Sequence, residues 1–188
     1  MIKRRGITLI ELLITMALIG LVLIIITSVY ITGYRTFDEE LASSAVQSNA
    51  QSILDSILLD AKNGMLVEQS YEGKITGTDT IIIRVPAVNT DKEIQYSGTD
   101  MLFDRVVYYY TNNEIHKITF SDNPSSIRFS QNGIDKTLNQ HVLSLNFTYD
   151  PDQTTATLVT ATISSNIKVG TRNKHIVISG EARLRNHI

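Results

Sequence analysis

The chain begins with one long apolar segment. Residues 7–31 span 25 positions and carry a single charged side chain, Glu11. As a helix this segment would be about 37 Å long, which exceeds the roughly 30 Å hydrocarbon core of a bilayer. The pattern therefore predicts a transmembrane helix.

Beyond Ile31 the apolar residues continue at spacings of three and four, as is typical of an amphipathic helix. The apolar stripe consists of Phe37, Leu41, Ala45, Val46, Ala50, Ile53, Leu54, Ile57, Leu58 and Ala61. Asn63-Gly64 provides a C-terminal stop signal, and Lys62 suits the negative end of the helix dipole. Together the two segments predict one helix from Ile7 to Asn63.

After Gly64 the pattern changes to short β-branched and aromatic runs separated by turn residues. These runs predict strands at Thr80–Val85, Asp104–Tyr110, Glu114–Phe120, Ile127–Ser130, Val142–Tyr149, Thr154–Ser164 and His175–Leu184. Asn112-Asn113 suits a tight hairpin turn because asparagine tolerates a positive φ, and residues 150–153 suit a second turn.

One of these runs shows which face of the sheet is buried. Leu143, Leu145, Phe147 and Tyr149 alternate with polar residues, which predicts one buried and one solvent-facing side. The apolar stripe Phe37–Ala61 is the natural cover for the buried side. We therefore predict an α+β fold in which the second half of the long helix packs on an antiparallel sheet.

The lone carboxylate of the first segment is the main candidate functional group. Glu11 inside a membrane costs about 3 kcal/mol even on a permissive scale, so it indicates a function and a cationic partner. Lys3, Arg4 and Arg5 precede the segment, whereas Asp38, Glu39 and Glu40 follow it. This charge bias places the N-terminus in the cytoplasm and the bulk of the chain outside.

The start of the chain resembles the processing site of type IV pilins and pseudopilins. A basic stretch ends at Gly6, and Glu11 is the fifth residue after it. The resemblance implies that a prepilin peptidase cleaves between Gly6 and Ile7 and that the new amine of Ile7 is N-methylated. It also implies that Glu11 meets this amine on a neighbouring subunit during assembly. The amine is mostly cationic at neutral pH because its intrinsic pKa is near 8.

The same resemblance suggests a minor subunit. Major pilins usually carry a helix-bending proline about 22 residues after the cleavage site, where this chain has Ser28. The stalk and the ending Ala182–Asn186 look more like those of minor subunits, namely the J type of type II secretion and the W type of type IV pili. The implied partners are other pilin or pseudopilin subunits, the prepilin peptidase, an assembly platform protein, an assembly ATPase and the membrane. The implied location is first the inner or cytoplasmic membrane and then a periplasmic or extracellular fibre.

These features divide the chain into four parts: a leader peptide at 1–6, a transmembrane and assembly helix at 7–31, an amphipathic helix at 32–63 and a β-rich head at 64–188. Two readings of the first segment compete with this one. It could be a secretory signal peptide, although the run is longer than an ordinary h-region and no A-x-A-like site follows. It could also be a simple anchor, with Glu11 snorkelling, for an outward ligand-binding or sensor domain.

The residue composition limits the kinds of chemical site that the head can contain. The chain has no cysteine, which excludes disulfides and thiolate chemistry. His116, His141, His175 and His187 are scattered, and no nucleophile elbow or phosphate-binding loop occurs. We therefore expect neither an enzyme nor a bound cofactor. An acidic turn with Asp150 and Asp152 lacks the spacing of a defined calcium loop, so a plain turn is favoured over a metal site.

Two sequence features of the head suggest alternative partner-binding surfaces. Tyr108-Tyr109-Tyr110 should expose at least one aromatic ring, although packing within the sheet is the favoured use. Cations near the C-terminus could form a DNA-binding patch of a competence pilus: Lys168, Arg172, Lys174, Arg183 and Arg185. After removal of the leader the chain has 14 basic and 19 acidic residues, a net charge of −5. Nucleic acid is thus the less favoured partner.

Overall fold

The computed structural model of the protein describes residues 8–140, 142–153, 155–169 and 172–185. Helix α1 covers Leu9–Asn63. The strands are β1 Leu66–Val67, β2 Ser70–Tyr71, β3 Lys74–Ile75, β4 Thr80–Pro86, β5 Tyr96–Ser97, β6 Asp100–Met101, β7 Phe103–Thr111, β8 Glu114–Ser121, β9 Asp135–Gln140, β10 Val142–Asp150, β11 Leu158–Val169 and β12 Arg172–Arg183. This α+β arrangement of one long helix followed by antiparallel sheets confirms the predicted fold class.

Helix α1 runs without interruption through Ser28 and ends at Asn63, as the stop signal predicts. The chain divides into two compact units between Ser43 and Ser44, within this helix. Its C-terminal end needs a glycine, because a Cβ at Gly64 would collide with Cγ2 of Ile83. Gly64 also donates its N–H to the carbonyl of Ala61 at 3.0 Å, which closes the last turn.

The head contains two main sheets in the described residues. One has the strand order β1-β4-β7-β8-β9, and the other has the order β10-β11-β12. All their ladders are antiparallel. Asn112 and Asn113 form the β7–β8 turn with φ values of 51° and 64°, which confirms the predicted hairpin. This left-handed conformation is the reason for asparagine at both positions.

One apolar core joins the C-terminal part of α1 to both sheets. Its helical members are Ala50, Ile53, Leu54, Ile57 and Ala61. Its members from the sheets include Ile81, Ile83, Val106, Tyr108, Ile115, Leu145, Phe147, Val159, Ala161, Ile163 and Ala182. The predicted packing of the second half of the helix on an antiparallel sheet is thus confirmed.

The predicted apolar stripe is too long at its N-terminal end. Phe37 and Leu41 are exposed at 61% and 53%, and Ala45 is also exposed. The buried part of the stripe begins only at Ala50, because the sheets cover α1 from that point onward.

The strand predictions differ from the structure in several places, and the short strands β1, β2, β3, β5 and β6 were not predicted. Residues 127–130 form no strand, and Phe129–Gln131 is a 3-10 helix instead. The sixth predicted strand begins at Leu158 rather than Thr154, which lies outside the described residues. Strand β9 was not predicted at all, because its sequence DKTLNQ has little of the apolar alternation that marks a strand.

A bulge alters the predicted alternation in β10. The β10–β11 register shifts between Val142 and Ser144, so Leu143 is the extra residue and is 48% exposed. Val142 takes the inward position in its place and is fully buried. Sequence alternation alone does not reveal this inserted residue.

Candidate assembly site

Thr8 and Glu11 form a reciprocal cap at the start of α1. The N–H of Thr8 donates to Glu11 Oε2 at 3.0 Å, and the Thr8 hydroxyl donates to the same oxygen at 3.1 Å. In return the N–H of Glu11 donates to the Thr8 hydroxyl oxygen at 3.3 Å. This is the capping-box arrangement, in which two otherwise unpaired N–H groups of a helix terminus gain acceptors.

The cap leaves half of the carboxylate unused. Among the hydrogen bonds of the described residues, none ends on Glu11 Oε1. A carboxylate has about four lone-pair sites, so Glu11 can hold the Thr8 donors and still accept from a cation. The site can therefore receive an ammonium group without giving up the helix cap.

The other predicted processing residues, Gly6 and Ile7, lie outside the described residues, so cleavage and methylation there stay predictions. The assembly role of Glu11 also stays a prediction. Thr8 is a member of the site that sequence reasoning missed. The signal was present, because Thr8-x-x-Glu11 directly before an apolar run is the sequence pattern of a capping box.

Between Glu11 and Ile31 the helix surface beyond this cap carries no charged side chain and exposes apolar residues on all sides. Large apolar side chains from Leu9 to Leu41 are exposed, and the helix is long and apolar enough to cross a membrane. Four threonine hydroxyls donate to the carbonyl four residues earlier, at 2.7–3.0 Å, namely those of Thr15, Thr27, Thr32 and Thr36. Because the helix itself satisfies these hydroxyls, they suit surroundings without water. The helix thus fits membrane anchoring.

The tyrosine run does not expose a ring, so that prediction is wrong. Tyr108 and Tyr109 are buried and Tyr110 is half-buried, because both faces of β7 are covered. On the inner face the hydroxyl of Tyr108 donates to Asp60 at 2.6 Å, and Lys117 Nζ lies 2.7 Å from the same carboxylate. Burial, together with the nearby Asp60 charge, raises the pKa of Tyr108.

The outer face of the same sheet carries a second polar cluster. Tyr109 stacks on His116 and donates its hydroxyl to Asp135, while Lys74 Nζ lies 3.4 Å from the centre of the Tyr109 ring. Burial, followed by the bond to Asp135, raises the pKa of Tyr109 to about 12. His116 Nδ1 lies 3.1 Å from Asp135 Oδ1, so this histidine has a packing role in the sheet.

The remaining candidate residues do not assemble into a site in the described part of the chain. No group of three histidine and carboxylate side chains is close enough there to hold a metal ion. His175 lies 3.4 Å from the Ser164 hydroxyl, and Asp152 caps the turn by accepting from the N–H of Thr155. His187 and His141 are outside the described residues.

The strand register separates the C-terminal cations. Lys168 pairs with Asn173, whereas Arg183 pairs with Leu158 at the other end of the ladder, about 33 Å away at about 3.3 Å per residue. Paired residues share a face of the sheet, so Lys168 and Asn173 point the same way. Lys174 follows Asn173 along the strand and therefore points to the face opposite to Lys168. The side chain of Arg172 is outside the described residues. These cations thus do not converge on a single patch.

Comparison with known families identifies the start of the chain. Residues 1–27 match the model of the prokaryotic N-terminal methylation motif, which is the prepilin-type signal of type IV pilins and pseudopilins. Comparisons with curated proteins and with solved structures gave no significant match. The resemblance inferred from residues 3–11 is therefore confirmed.

The motif at the start of this chain supports a protein of the type IV pilin-like class. It is the signal for processing by a prepilin peptidase, and it implies other pilin subunits as assembly partners. Its apolar helix and its signal fit membrane anchoring.

Proposed function

We propose that this chain is a minor, low-copy subunit of a type IV pilus-like or type II secretion fibre, and that it is not an enzyme. It is inserted in the inner or cytoplasmic membrane, cleaved after Gly6, methylated on Ile7 and then moved into the fibre by a platform protein and an assembly ATPase. Its contribution is geometric: the helix packs among other helices, and the head presents a surface for specific partners.

The observation that carries this proposal is the state of Glu11. It is the lone charged side chain of the apolar residues 7–31, and among the hydrogen bonds of the described residues none ends on its Oε1 atom. In a helix bundle without water, an unmatched carboxylate costs several kcal/mol, so a subunit at the wrong axial level is penalised. The amine of a neighbouring Ile7 supplies the matching charge at one level only. Glu11 therefore sets the register of the subunit.

The assignment to a minor subunit has separate support. Helix α1 is unbroken at Ser28, where major subunits usually have a proline, and all three prolines of the chain lie in the head. A proline within a helix would remove one hydrogen bond and bend the axis. The stalk of this protein thus differs from that of a major subunit.

The test compares Glu11→Gln with Thr8→Ala in cells that assemble the fibre. Glutamine keeps an acceptor for the Thr8 donors but removes the charge, whereas Thr8→Ala removes the hydroxyl of the cap and keeps the charge. We expect both variants to insert in the membrane. We expect only Glu11→Gln to be missing from sheared fibres in an immunoblot, and the mass of the wild-type mature N-terminus to begin at Ile7 with one added methyl group.

Three results would contradict the proposal. Fibres that contain Glu11→Gln at the wild-type level would show that the charge of Glu11 does not set the register of the subunit. Equal loss of both variants would make Glu11 a helix cap without an assembly role. A wild-type subunit that keeps its first six residues in intact fibres would exclude processing.

A further inference from the structure

Strand β12 forms a long, regular edge of the three-stranded sheet. It pairs with β11 over twelve consecutive residues without a register shift. Hydrogen bonds at its end reveal which residues face β11: the N–H of Leu184 donates to the Thr157 carbonyl, in the same register as the ladder. Because an antiparallel ladder alternates, the even-numbered residues of β12 bond to β11 and the odd-numbered ones point their N–H and C=O groups outward.

A neighbouring hydrogen bond supports this assignment. Arg185 is the next odd-numbered residue, and its N–H donates to the Gly64 carbonyl at 2.9 Å rather than to β11. For His175, Val177, Ser179 and Glu181, the hydrogen bonds of the described residues include none to the outward N–H or C=O group. These residues form an open edge, which we call the β12 edge.

The opposite edge of the same sheet is covered. On β10 the N–H of Phe147 donates to the Thr78 carbonyl at 2.7 Å, and the N–H of Val142 donates to the Asn113 carbonyl at 3.0 Å. A bulge at Leu143 also interrupts that edge. Proteins commonly close edges in these ways to prevent unwanted pairing. The β12 edge has neither kind of cover in the described chain.

The sequence of the β12 edge favours pairing. Residues 175–179, His-Ile-Val-Ile-Ser, contain three β-branched apolar residues and no carboxylate, lysine or proline. Val177 is 55% exposed. The strand is also held in place from behind, because at Gly180 a Cβ would lie only 2.6 Å from Leu58 Cδ1 on α1. A rigid, preformed edge loses little entropy when another strand binds.

We propose that the β12 edge is an assembly surface that pairs with an extended strand of a different pilin subunit. This inference rests on the proposed function. The motif implies other pilin subunits as the class of partner, and a low-copy subunit has other chains as its neighbours in a fibre. Pairing of β12 with the β12 of a second copy would instead close a dimer. The incoming strand adds main-chain hydrogen bonds to His175, Val177 and Ser179. Its apolar side chains lie beside Ile176 and Ile178.

The test uses proline, which removes one N–H group. Val177→Pro removes an outward N–H and spares the β11 ladder, because proline is tolerated on an edge strand. The matched control Ile178→Pro removes an N–H that donates to β11 opposite Ile163, so it should destabilise the head. We expect Val177→Pro to keep the wild-type unfolding midpoint of the purified full chain but to be recovered in fibres at a roughly tenfold lower level.

A photo-crosslinking amino acid at position 177 identifies the partner in the same cells. We expect an adduct whose peptides, by mass spectrometry, come from a different chain with a prepilin-type signal. The same probe at Asn146, on the covered strand β10, should give no such adduct.

The outcomes separate this inference from the proposed function. If the wild type enters fibres and Val177→Pro enters them equally, the β12 edge is not an assembly surface but the subunit role stands. If the wild type itself is absent from fibres, the proposed function fails. An adduct with a second copy of this chain, or with a protein that lacks the signal, would overturn the assignment of the partner.

Discussion

The two units of this protein use apolar residues in opposite ways. Before Ser43 the apolar side chains of α1 are exposed, and the threonine hydroxyls bond to carbonyls of their own helix. In the second unit the apolar side chains on one side of the same helix are buried from Ala50 onward, and polar groups have partners distant in sequence, as Asp60 does with Tyr108 and Lys117.

This difference shows what each unit needs from its surroundings. The head completes its own core, so its stability is a property of the single chain. The first unit buries nothing by itself, so it depends on lipid or on the helices of other subunits. The hydroxyls of Thr15, Thr27, Thr32 and Thr36 are bonded within the helix, so they suit either of these surroundings.

The largest expected effect comes from truncating an apolar residue on each half of the helix. Ile57 is fully buried in the head, so Ile57→Ala should lower its free energy of unfolding by about 2–5 kcal/mol. The matched variant Leu23→Ala changes an exposed residue and should leave that free energy unchanged. Denaturant unfolding of the detergent-solubilised full chain, followed by near-ultraviolet circular dichroism, measures both. Equal losses would show that the two halves of the helix are not independent.

A smaller effect should follow from removing one hydroxyl in each unit. Tyr108→Phe removes a donor to the half-buried Asp60, so it should cost about 1–3 kcal/mol of head stability. Thr27→Val removes only a bond to the Leu23 carbonyl within the helix. We expect its effect on head unfolding to stay within about 0.5 kcal/mol. The same unfolding assay measures both variants. If Tyr108→Phe left the stability of the head unchanged, the ion pair with Lys117 alone would be sufficient to stabilise the Asp60 carboxylate.

The sequence predicts most of this contrast because its patterns are strong. An uninterrupted apolar run and a stop at Asn63-Gly64 define the helix, and an Asn-Asn pair defines a hairpin. What it could not predict depends on contacts distant in sequence. The burial of the helix from Ala50 onward depends on where the sheets end, and β9 pairs with β8 despite a polar sequence.

The candidate site shows the same limit. Glu11 can be recognised in the sequence as the lone charge of an apolar run. The cap by Thr8 could also have been predicted, because the two residues have the spacing of a capping box. The exposure of the tyrosine run was predicted wrongly because the short hairpin β2–β3, which places Lys74 against Tyr109, is too brief to leave a pattern. The open β12 edge could not be predicted either. Which N–H and C=O groups of β12 point outward is defined only by its pairing with β11.

The smallest expected effect is the pH dependence of head stability, which arises from the buried tyrosines. The pKa of Tyr109 is raised from 10.0 to about 12, and burial also raises the pKa of Tyr149. A raised pKa in the folded state means that the stabilisation is complete below pH 10 and is lost as the pH rises from about 10 to 12. The unfolding midpoint of the full chain should therefore fall over this range.

Two single variants assign this fall to its source. Tyr109→Phe removes one of the contributing groups, so its midpoint should fall less steeply above pH 10 than that of the wild type. Tyr96→Phe changes an exposed tyrosine and should follow the wild-type curve. If Tyr109→Phe also followed the wild-type curve, the hydroxyl of Tyr109 would be as accessible to base as an exposed one. The bond to Asp135 would then not favour the protonated form of Tyr109 in the folded state.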